Sequence, residues 1–496
     1  MPVITLIDKE LLEKVPARLA CHYKIMPISL DKGLLTLAVP DPCDTKILDD
    51  LRLLLECEVT GVSAEESDID ESIRKYYGIG AGDIEETGDI SEARLLKTRT
   101  EDIDNVKEDA SIIRFVNQIL AQAVRDKATD IHIEPYEDDL KVRYRIDGLL
   151  FDVPVPKNLK SFQSAIVSRL KIMANLDISE KRLPHDGRIK IRMSGEELDI
   201  RISVLPTHFG ESIDIRLLSG NILYGLEGLG LLPGDHEILE SLIRRPHGII
   251  FVTGPTGSGK TTTLYSCLSK INKTDRKIIT IEDPVEYQLK GITQIQVNPR
   301  IGLTFGLGLR SMLRHDPDIM MVGEARDFET VKTTIRVALT GHLVFSTLHT
   351  NDSAGGITRL SDMGVEPYLI ASSVECFIAQ RLVRLICPKC KVKKRLRKDI
   401  FKDEFGQKAA GRDLSVYEGK GCEYCKFSGY RGRTGIYEFL LIDEGIRELI
   451  LRGSSGSRIK KKALASGMHT LRMDGWEKVK KGMTTVSEII RVTEKD

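Results

Sequence analysis

The chain has 496 residues, which is enough for about three domains that each bury a core. Its 73 basic and 73 acidic residues cancel, so no net charge favours binding to nucleic acid or to an anionic membrane, and we expect no nucleic-acid partner. The sequence has no amino-terminal secretion signal and no apolar run of membrane-spanning length, so we expect a cytoplasmic protein with reduced cysteines.

Residues 1–77 predict a small α/β domain. Short apolar strands at Leu34–Val39 and around Val59–Val62 flank a helix whose leucines recur at helical spacing. Residues 78–110 differ in composition, because they hold ten acidic and four basic residues and few large apolar side chains. Such a segment cannot bury enough apolar surface to offset the entropy of ordering, so we predict a flexible linker there.

A second α/β domain is predicted from residue 111 to residue 222. It opens with a helix that Ser111 caps and whose apolar residues share one face. Apolar and charged residues alternate over Leu140–Ile146, and the following Asp-Gly pair is a two-residue hairpin signal. A second hairpin is predicted from Arg188–Met193 and Leu198–Val204, joined by a Ser-Gly turn.

The third predicted domain, residues 223–496, alternates strands and helices around a glycine-rich loop, which indicates a parallel sheet covered by helices. An apolar strand precedes the loop and a helix start follows it, as a phosphate-binding P-loop requires. Its glycines let backbone N–H groups point at phosphates, Lys260 supplies a positive charge, and the Thr261 hydroxyl is suited to ligate Mg²⁺. The predicted nucleoside triphosphate site comprises Gly254, Pro255, Thr256, Gly257, Ser258, Gly259, Lys260, Thr261 and Thr262.

Two further strand-like runs end in acidic residues. The run Lys277–Ile281 leads into three acids that are suited to hold magnesium through water or to activate the attacking water. These acids are Glu282, Asp283 and Glu286. The run Ile319–Val322 leads into Gly323 and Glu324, where nucleotide hydrolases place their Walker B acids. Because glycine replaces the first of those acids, Glu324 is the candidate base, with Glu286 as the alternative, and the earlier acids take over part of the magnesium-side role.

His342 and His349 flank the apolar strand Leu343–Phe345. The hydrogen-bonding pattern of a histidine changes with its tautomer and charge, so a histidine at a strand end can sense the terminal phosphate. We predict that role for His349 and for His342. A hydrogen-bonded position in the core is the alternative for either residue.

Two Cys-x-x-Cys pairs, 31 residues apart, predict a zinc site. Four thiolates on two tight knuckles close a tetrahedral site with no open position, which gives zinc a structural role. Redox activity is the alternative for a single pair, but two pairs in a cytosolic chain favour zinc. We expect the basic, helix-prone segment within residues 387–425 to form a finger tied at its base. The predicted ligands are Cys387, Cys390, Cys422 and Cys425.

Several longer stretches together resemble the secretion ATPase superfamily of type II secretion, type IV pilus assembly and pilus retraction. Thr280–Tyr287, Gly323–Asp327 and Ser346–Thr350 look like its aspartate, Walker B and histidine boxes. The resemblance also covers Leu309–Asp318, Ala379–Arg384, the four cysteines and Gly429–Gly435, with Ala128–Glu134 and Arg182–Arg188 upstream. It implies an α/β protein with a RecA-like ATPase domain, two smaller α/β domains and a zinc-tethered insertion.

By this resemblance the nucleotide is ATP, and the protein is a hexameric ring in which ATP sits between the second and third domains. Arg201 and Arg216 match the family's arginines that reach the phosphates across this cleft. A guanidinium that arrives only on closure would neutralise developing phosphate charge and tie hydrolysis to movement. Without the resemblance, both arginines are interpreted as charges on the face of an exposed hairpin.

The resemblance favours a motor ATPase of type II secretion, which drives pseudopilus assembly and protein export. Its expected partners are inner-membrane platform proteins, namely a bitopic protein that binds residues 1–77 and a polytopic protein, and it would reach the inner membrane only through them. The compact first domain favours this form over a type IV pilus assembly ATPase, which is the alternative. A nucleic-acid motor is disfavoured by the zero net charge, and a non-hydrolysing scaffold by the set of acids.

Overall fold

The structure is a computed structural model in which the chain forms two compact units, residues 1–220 and 221–496. The described residues are 7, 9–31, 33–55, 57–78, 101–102, 111–193, 196–218, 225–395 and 415–493. Most of the predicted linker and the predicted turn at residues 194–195 lie outside them. Within the described residues, no helix is both long and apolar enough to cross a membrane.

The first unit begins with a three-stranded sheet and four helices. These elements are α1 (Lys9–Lys14), α2 (Ala17–Tyr23), β1 (Met26–Asp31), β2 (Leu34–Val39), α3 (Thr45–Leu55), β3 (Glu58–Ser63) and α4 (Glu66–Tyr77). The sheet has the order β1-β2-β3, with β1 antiparallel and β3 parallel to β2. Leu48 and Leu51 of α3 share one core with Leu35 and Leu37 of β2, which confirms the predicted helix and strands.

The same unit contains a seven-stranded sheet. Its elements are β4 (Glu101–Asp102), α5 (Ser111–Arg125), β5 (Asp130–Pro135), β6 (Leu140–Ile146), β7 (Leu149–Asp152), α6 (Gln163–Met173), β8 (His185–Met193), β9 (Glu196–Thr207) and β10 (Gly210–Leu218). The strand order is β4-β8-β9-β10-β5-β6-β7. Both predicted hairpins are present as β6-β7 and β8-β9. Asp147 and Gly148 both have positive φ, as the tight turn between β6 and β7 requires.

The second unit is built on another seven-stranded sheet, which we call the ATPase sheet. Its strands are β11 (Gly248–Thr253), β12 (Ile278–Glu282), β13 (Thr293–Gln296), β14 (Ile319–Val322), β15 (Leu343–Leu348), β16 (Val374–Ile386) and β19 (Tyr430–Leu441). Its helices are α7 (Pro233–Ile243), α8 (Lys260–Ile271), α9 (Phe305–Met312), α10 (Phe328–Leu339), α11 (Ala354–Asp362), α12 (Pro367–Ser373), α13 (Glu444–Leu451), α14 (Gly456–Ala465), α15 (Leu471–Lys480) and α16 (Val486–Val492).

The strand order of the ATPase sheet is β13-β12-β14-β15-β11-β16-β19, and every pairing is parallel except the last. Alternate residues of β11 enter two separate apolar cores, since Ile249 and Phe251 belong to one and Ile250 and Val252 to the other. A strand with a core on each face reads as a continuous apolar run, which explains the sequence before the P-loop.

The hairpin of β16 and β19 extends past the rest of the sheet. β16 pairs with β11 only as far as Ala379 and then continues to Ile386, next to the first cysteine pair. Between the two cysteine pairs the chain forms β17 (Lys391–Arg395) and β18 (Ser415–Gly419), which are antiparallel. The residues described between the cysteine pairs therefore include a β-hairpin at the place where the finger tied at its base was expected, while residues 396–414 lie outside the described residues.

Candidate active site

The P-loop lies between β11 and α8, at the carboxyl edge of the ATPase sheet. Because α8 begins at Lys260, the unpaired N–H groups of its first turn border the loop. Gly254 has a φ of 151°, and a Cβ on it would lie only 2.6 Å from the carbonyl oxygen of Gln380 on β16. Only glycine fits at this position, so the predicted strand-loop-helix context is confirmed together with the reason for its first glycine.

Lys260 folds back over the loop. Its Nζ donates hydrogen bonds to the carbonyl oxygens of Gly254 at 2.7 Å and Pro255 at 3.0 Å. Burial lowers the pKa of Lys260 to about 8, although the negative charge of Glu324 opposes that shift. Phosphate oxygens are stronger partners for an ammonium group than neutral carbonyls, so a bound nucleotide would raise this pKa.

The other side chains of the loop fit a phosphate ligand. The hydroxyl of Ser258 is buried and, among the described residues, has no hydrogen-bond partner. Thr261 and Thr262 are half-buried in the first turn of α8. The exposed members of the loop are Pro255, Thr256 and Gly257. A buried hydroxyl is costly unless another group completes its hydrogen bonds, and a phosphate oxygen would do so.

Glu324 is the second residue after β14, and each of its carboxylate oxygens contacts a basic side chain. Oε1 lies 2.9 Å from Nε2 of His349, and Oε2 lies 2.7 Å from Nη2 of Arg326. Burial favours the neutral acid, but the hydrogen bond from Arg326 and the electrostatic interactions with His349, Arg326 and Lys260 outweigh it and lower the pKa of Glu324. Glu324 is therefore an ionised carboxylate within electrostatic reach of the P-loop lysine.

Gly323 lies against the neighbouring strand β12. A Cβ on this residue would be 3.2 Å from Cα of Glu282 and 3.2 Å from the carbonyl oxygen of Ile281. The backbone of β12 thus leaves little room for the acid that often precedes the Walker B glutamate. The Gly323 carbonyl also accepts a 2.7 Å hydrogen bond from the hydroxyl of Thr347 on β15, which ties the Walker B and histidine strands together.

Glu282 is the last residue of β12 and is only 3% exposed. The Tyr265 hydroxyl donates to its Oε2, while the Thr280 hydroxyl at 2.6 Å and the Gln294 amide at 3.2 Å donate to its Oε1. Burial raises the pKa of Glu282, and these three hydrogen bonds partly oppose that shift. This predicted acid therefore faces a buried hydrogen-bond network.

Asp283 and Glu286 lie in the loop that follows β12. Asp283 is exposed and interacts electrostatically with Arg326. This interaction joins it to Glu324, Arg326 and His349, which we call the Glu324 group. Glu286 is half-buried, and its backbone N–H donates to the hydroxyl of Tyr265 at 3.3 Å. The structure thus brings Asp283 to the Glu324 group and holds the backbone of Glu286 against α8.

The structure does not bring His342 to this edge of the sheet. β15 runs parallel to β11 from Leu343, so His342 precedes the strand and His349 follows it. The backbone carbonyl of His342 accepts from Gly248 N–H, and its Nδ1 lies 3.0 Å from the carbonyl oxygen of Val337. His349 meets Glu324, whereas His342 lies at the amino ends of the strands, away from the P-loop.

Arg201 and Arg216 lie in the first unit, where they are direct cross-strand partners on β9 and β10. Arg188 on β8 is opposite Arg201, and Asp130 on β5 is opposite Arg216. The Nε of Arg216 bonds to Asp130 at 2.9 Å. Three arginines in one cross-strand row concentrate positive charge next to Asp130, so this row favours an anion.

The four predicted zinc ligands converge. Their sulfur atoms lie within 4.8 Å of one another, and Cys387–Cys422, Cys390–Cys425 and Cys422–Cys425 are separated by 3.8, 3.8 and 3.7 Å. Zinc–sulfur bonds of about 2.3 Å in a tetrahedron place sulfurs about 3.8 Å apart, whereas a disulfide needs about 2.05 Å. The donor set and its spacing therefore fit a closed zinc site.

Sequence reasoning missed four residues of these groups. Arg326 bonds to Glu324, and Tyr265 with Gln294 holds Glu282. Arg188 extends the arginine row. The alternation of the predicted hairpin contained a signal for Arg188, because Arg188 and Arg201 fall opposite each other once that hairpin is paired. Nothing in the spacing of Tyr265 and Gln294 predicted their contact, since 28 residues of chain, including the strand β12, separate them.

Comparison with protein families gives two matches. The Type II/IV secretion system protein family matches residues 105–491, and the MshEN domain matches residues 5–83. Together they cover most of the chain. The first match includes the P-loop, the Glu324 group, the arginine row and the four cysteines.

Individual proteins resemble the chain over much of its length. It is 48% identical over 401 residues to "Type II secretion system protein E" of Dickeya dadantii, which covers 80% of this chain and 78% of that protein. It is 43% identical over 504 residues to "Type IV pilus assembly ATPase PilB" of Myxococcus xanthus, which covers 99% and 88%. The solved structure of the pilus retraction motor PilT with bound ADP has a TM-score of 0.51 and 27% identity, and covers 76% of this chain and 96% of that one.

Proposed function

Because the chain belongs to the Type II/IV secretion system protein family, we propose that it is the ATP-hydrolysing motor of a type II secretion system, which drives pseudopilus assembly and protein export. The main observation that supports ATP hydrolysis is the geometry of the Glu324 group. An ionised carboxylate, bonded to His349 and Arg326, lies beside a P-loop whose lysine it reaches electrostatically. That arrangement combines phosphate binding with a base.

The proposed chemistry assigns one task to each group. Backbone N–H groups of the loop and Lys260 hold the phosphates, and Thr261 ligates Mg²⁺, which neutralises phosphate charge when bound. Glu324 orients the attacking water and accepts its proton. His349, whose Nε2 lies 2.9 Å from the same carboxylate, fixes its orientation and registers loss of the terminal phosphate.

Further roles follow from the same proposal. Asp283 and Glu286 support the magnesium side of the site, and Glu286 is the alternative acid that activates water. Glu282 belongs to the same acidic group and would support the magnesium side from within its buried hydrogen-bond network. Arg201 and Arg216 neutralise phosphate charge, for which their cross-strand pairing with Arg188 is the supporting observation. Zinc at the four cysteines closes the base of the β17-β18 hairpin.

We propose a homo-hexamer with domains at residues 1–77, 111–222 and 223–496, joined by a linker at 78–110. Residues 1–77, most of which match the MshEN domain, would bind a bitopic inner-membrane platform protein. A polytopic platform protein would receive the motion. The motor would be cytoplasmic and reach the membrane through these proteins.

A type IV pilus assembly ATPase is the second candidate. Its supporting observation is the similarity to PilB over 99% of the chain, whereas the higher identity of 48% to the type II protein covers 80%. A pull-down with the immobilised full-length protein as bait distinguishes the type II secretion function from the pilus assembly function. Capture of the cytoplasmic domain of a type II bitopic platform protein supports secretion, and capture of a pilus platform component in its place rejects it.

Hydrolysis itself is tested by phosphate release from Mg²⁺-ATP with the full chain. Lys260→Ala is the matched variant, because it removes the phosphate-binding charge from an otherwise intact loop. We expect turnover by the unmodified chain and its loss in the variant. Equal phosphate release by both proteins would show that the P-loop is not the site of hydrolysis.

A further inference from the structure

The hydroxyl of Tyr265 is the centre of a buried network that joins the P-loop helix to the acidic loop after β12. Tyr265 is fully buried on α8, five residues after Lys260, which is about 7.5 Å along the helix. Its hydroxyl donates to Glu282 and accepts from the Glu286 backbone N–H and the Gln294 amide, both at 3.3 Å. One side chain of the P-loop helix therefore touches both ends of the Glu282–Glu286 segment.

Gln294 on β13 extends this contact along the loop. Its Oε1 accepts from Leu289 N–H at 2.7 Å, and its Nε2 donates to the Tyr287 carbonyl oxygen at 3.2 Å. The rings of Tyr265 and Tyr287 meet edge to face, with centroids 4.6 Å apart. The loop is thus held at the backbone of residues 286, 287 and 289 by side chains that also bond to Glu282.

We propose that Tyr265 is a positioning residue for ATP hydrolysis, which sets the distance between the P-loop helix and the acids Asp283 and Glu286. This inference rests on the proposed ATPase function. The hydroxyl forms a direct polar link from α8 to the loop, whereas the phenyl ring fills the core. Removing the hydroxyl frees the Glu286 amide and leaves Glu282 one donor short inside the protein.

A purely structural role makes a different forecast. A buried tyrosine that only stabilises the fold lowers the melting temperature when its hydroxyl is removed, but leaves the folded enzyme equally active. A positioning residue lowers kcat while nucleotide binding persists, because the P-loop is intact and only the acids lose their alignment. The split between kcat and nucleotide affinity therefore separates the two roles.

The experiment compares Tyr265→Phe with Tyr144→Phe in the full chain. Tyr144 is also fully buried, and its hydroxyl donates to the backbone carbonyl of Ile119, so the control removes the same group from a hydrogen bond that does not involve the acids. We expect Tyr265→Phe to lower kcat about 10- to 100-fold, with the dissociation constant for fluorescent ATP within about twofold of the unmodified chain. Tyr144→Phe should keep kcat.

The remaining outcomes are decisive. Unchanged kcat in folded Tyr265→Phe overturns the proposal, as does weaker nucleotide binding at unchanged kcat. If Tyr265→Phe fails to fold, Gln294→Met tests the other end of the same network, because it keeps the side-chain length and removes the amide contacts to Tyr265, Glu282 and the loop backbone. The proposal requires both ends of the network for alignment of the acids, so retained kcat in that variant overturns it. Absence of hydrolysis by the unmodified chain counts against the proposed function, whereas hydrolysis unaffected by either variant counts against this inference alone.

Discussion

The two edges of the ATPase sheet carry different chemistry although the same strands form both. The carboxyl edge gathers the P-loop, Glu324 and His349. The amino edge holds His342 with Asp318 and Arg276 in a cavity of about 390 Å³. His342 and His349 bracket one strand and look alike in sequence, yet a strand of that length separates them by about 20 Å. In a parallel sheet, strand direction decides which of two similar residues serves the site.

The largest expected effect tests the carboxyl edge directly. Glu324→Gln keeps the size of the side chain but removes the base, so turnover should fall about 1,000-fold while nucleotide binding persists. Phosphate release and fluorescent-nucleotide titration measure the two quantities. Glu329→Gln is the control, because Glu329 is an exposed acid on α10 whose carboxylate meets Arg310. Unchanged turnover in Glu324→Gln would remove Glu324 from the catalytic role.

The histidine pair tests the comparison at its sharpest point. His349→Ala removes the 2.9 Å side-chain contact with Glu324, so kcat should fall about 10- to 100-fold. His342→Ala removes contacts to Thr340 and Val337 at the amino edge, so kcat should stay within about twofold. Both values come from the same steady-state assay. The reverse order of effects would break the distinction between the edges.

Removal of zinc tests whether nucleotide binding at the carboxyl edge depends on the cysteine cluster and its β17-β18 hairpin. Cys422→Ser should lose bound zinc, measured by mass spectrometry under native conditions, and lower the melting temperature by about 5 °C or more. ATP affinity should stay within about twofold, because β11 and α8 hold the P-loop without the cysteines. Cys43→Ser is the control, since Cys43 is an exposed cysteine outside the cluster. A large loss of ATP affinity in Cys422→Ser, together with the loss of zinc, would show that the cysteine cluster and the P-loop depend on each other.

The smallest expected effect is the uptake of a fraction of a proton by Lys260 when the nucleotide binds. Burial places the pKa of Lys260 at about 8, below its unfolded value of 10.5, and bound phosphate raises it. Between pH 8 and 10 nucleotide binding should therefore take up protons. Burial of charged Lys260 also lowers the free energy of unfolding of the nucleotide-free protein; this penalty is full below pH 8 and should fade as the pH rises towards 10.5. Calorimetry in buffers of different ionisation enthalpy measures the uptake. Lys260→Met should abolish it, and persistent uptake there would point to another group.

Local pattern was enough for much of the fold. The alternation around Asp147–Gly148, the buried run before Gly254 and the spacing of the cysteines each predicted the element or cluster that the structure contains. These features depend on residues that are close in the chain or that share one periodicity. They require no knowledge of which strands become neighbours.

The differences between the expected and the observed surroundings of site residues have a physical origin in long-range packing. Glu282 was expected at the open site, but Tyr265 and Gln294 approach it from other elements and enclose it. Glycine at position 323 was an unexplained departure until β12 was placed beside it. His342 precedes β15, so strand direction places it at the edge opposite His349, and its role at the phosphate stays a prediction. For Glu282 and Gly323, the missing information was the packing of segments that are distant in sequence.

The cysteine-bound hairpin offers a practical site for engineering. β17 leaves the cluster at Lys391 and β18 returns to it by Gly419, and the lengthened strands β16 and β19 carry both ends back to the sheet. Chain inserted between Arg395 and Ser415 would lengthen a connection whose two ends the hairpin already holds together, and the entropic cost of a flexible insertion grows only with the logarithm of its length. A fluorescent domain placed there would report on the moving motor while leaving its nucleotide chemistry untouched.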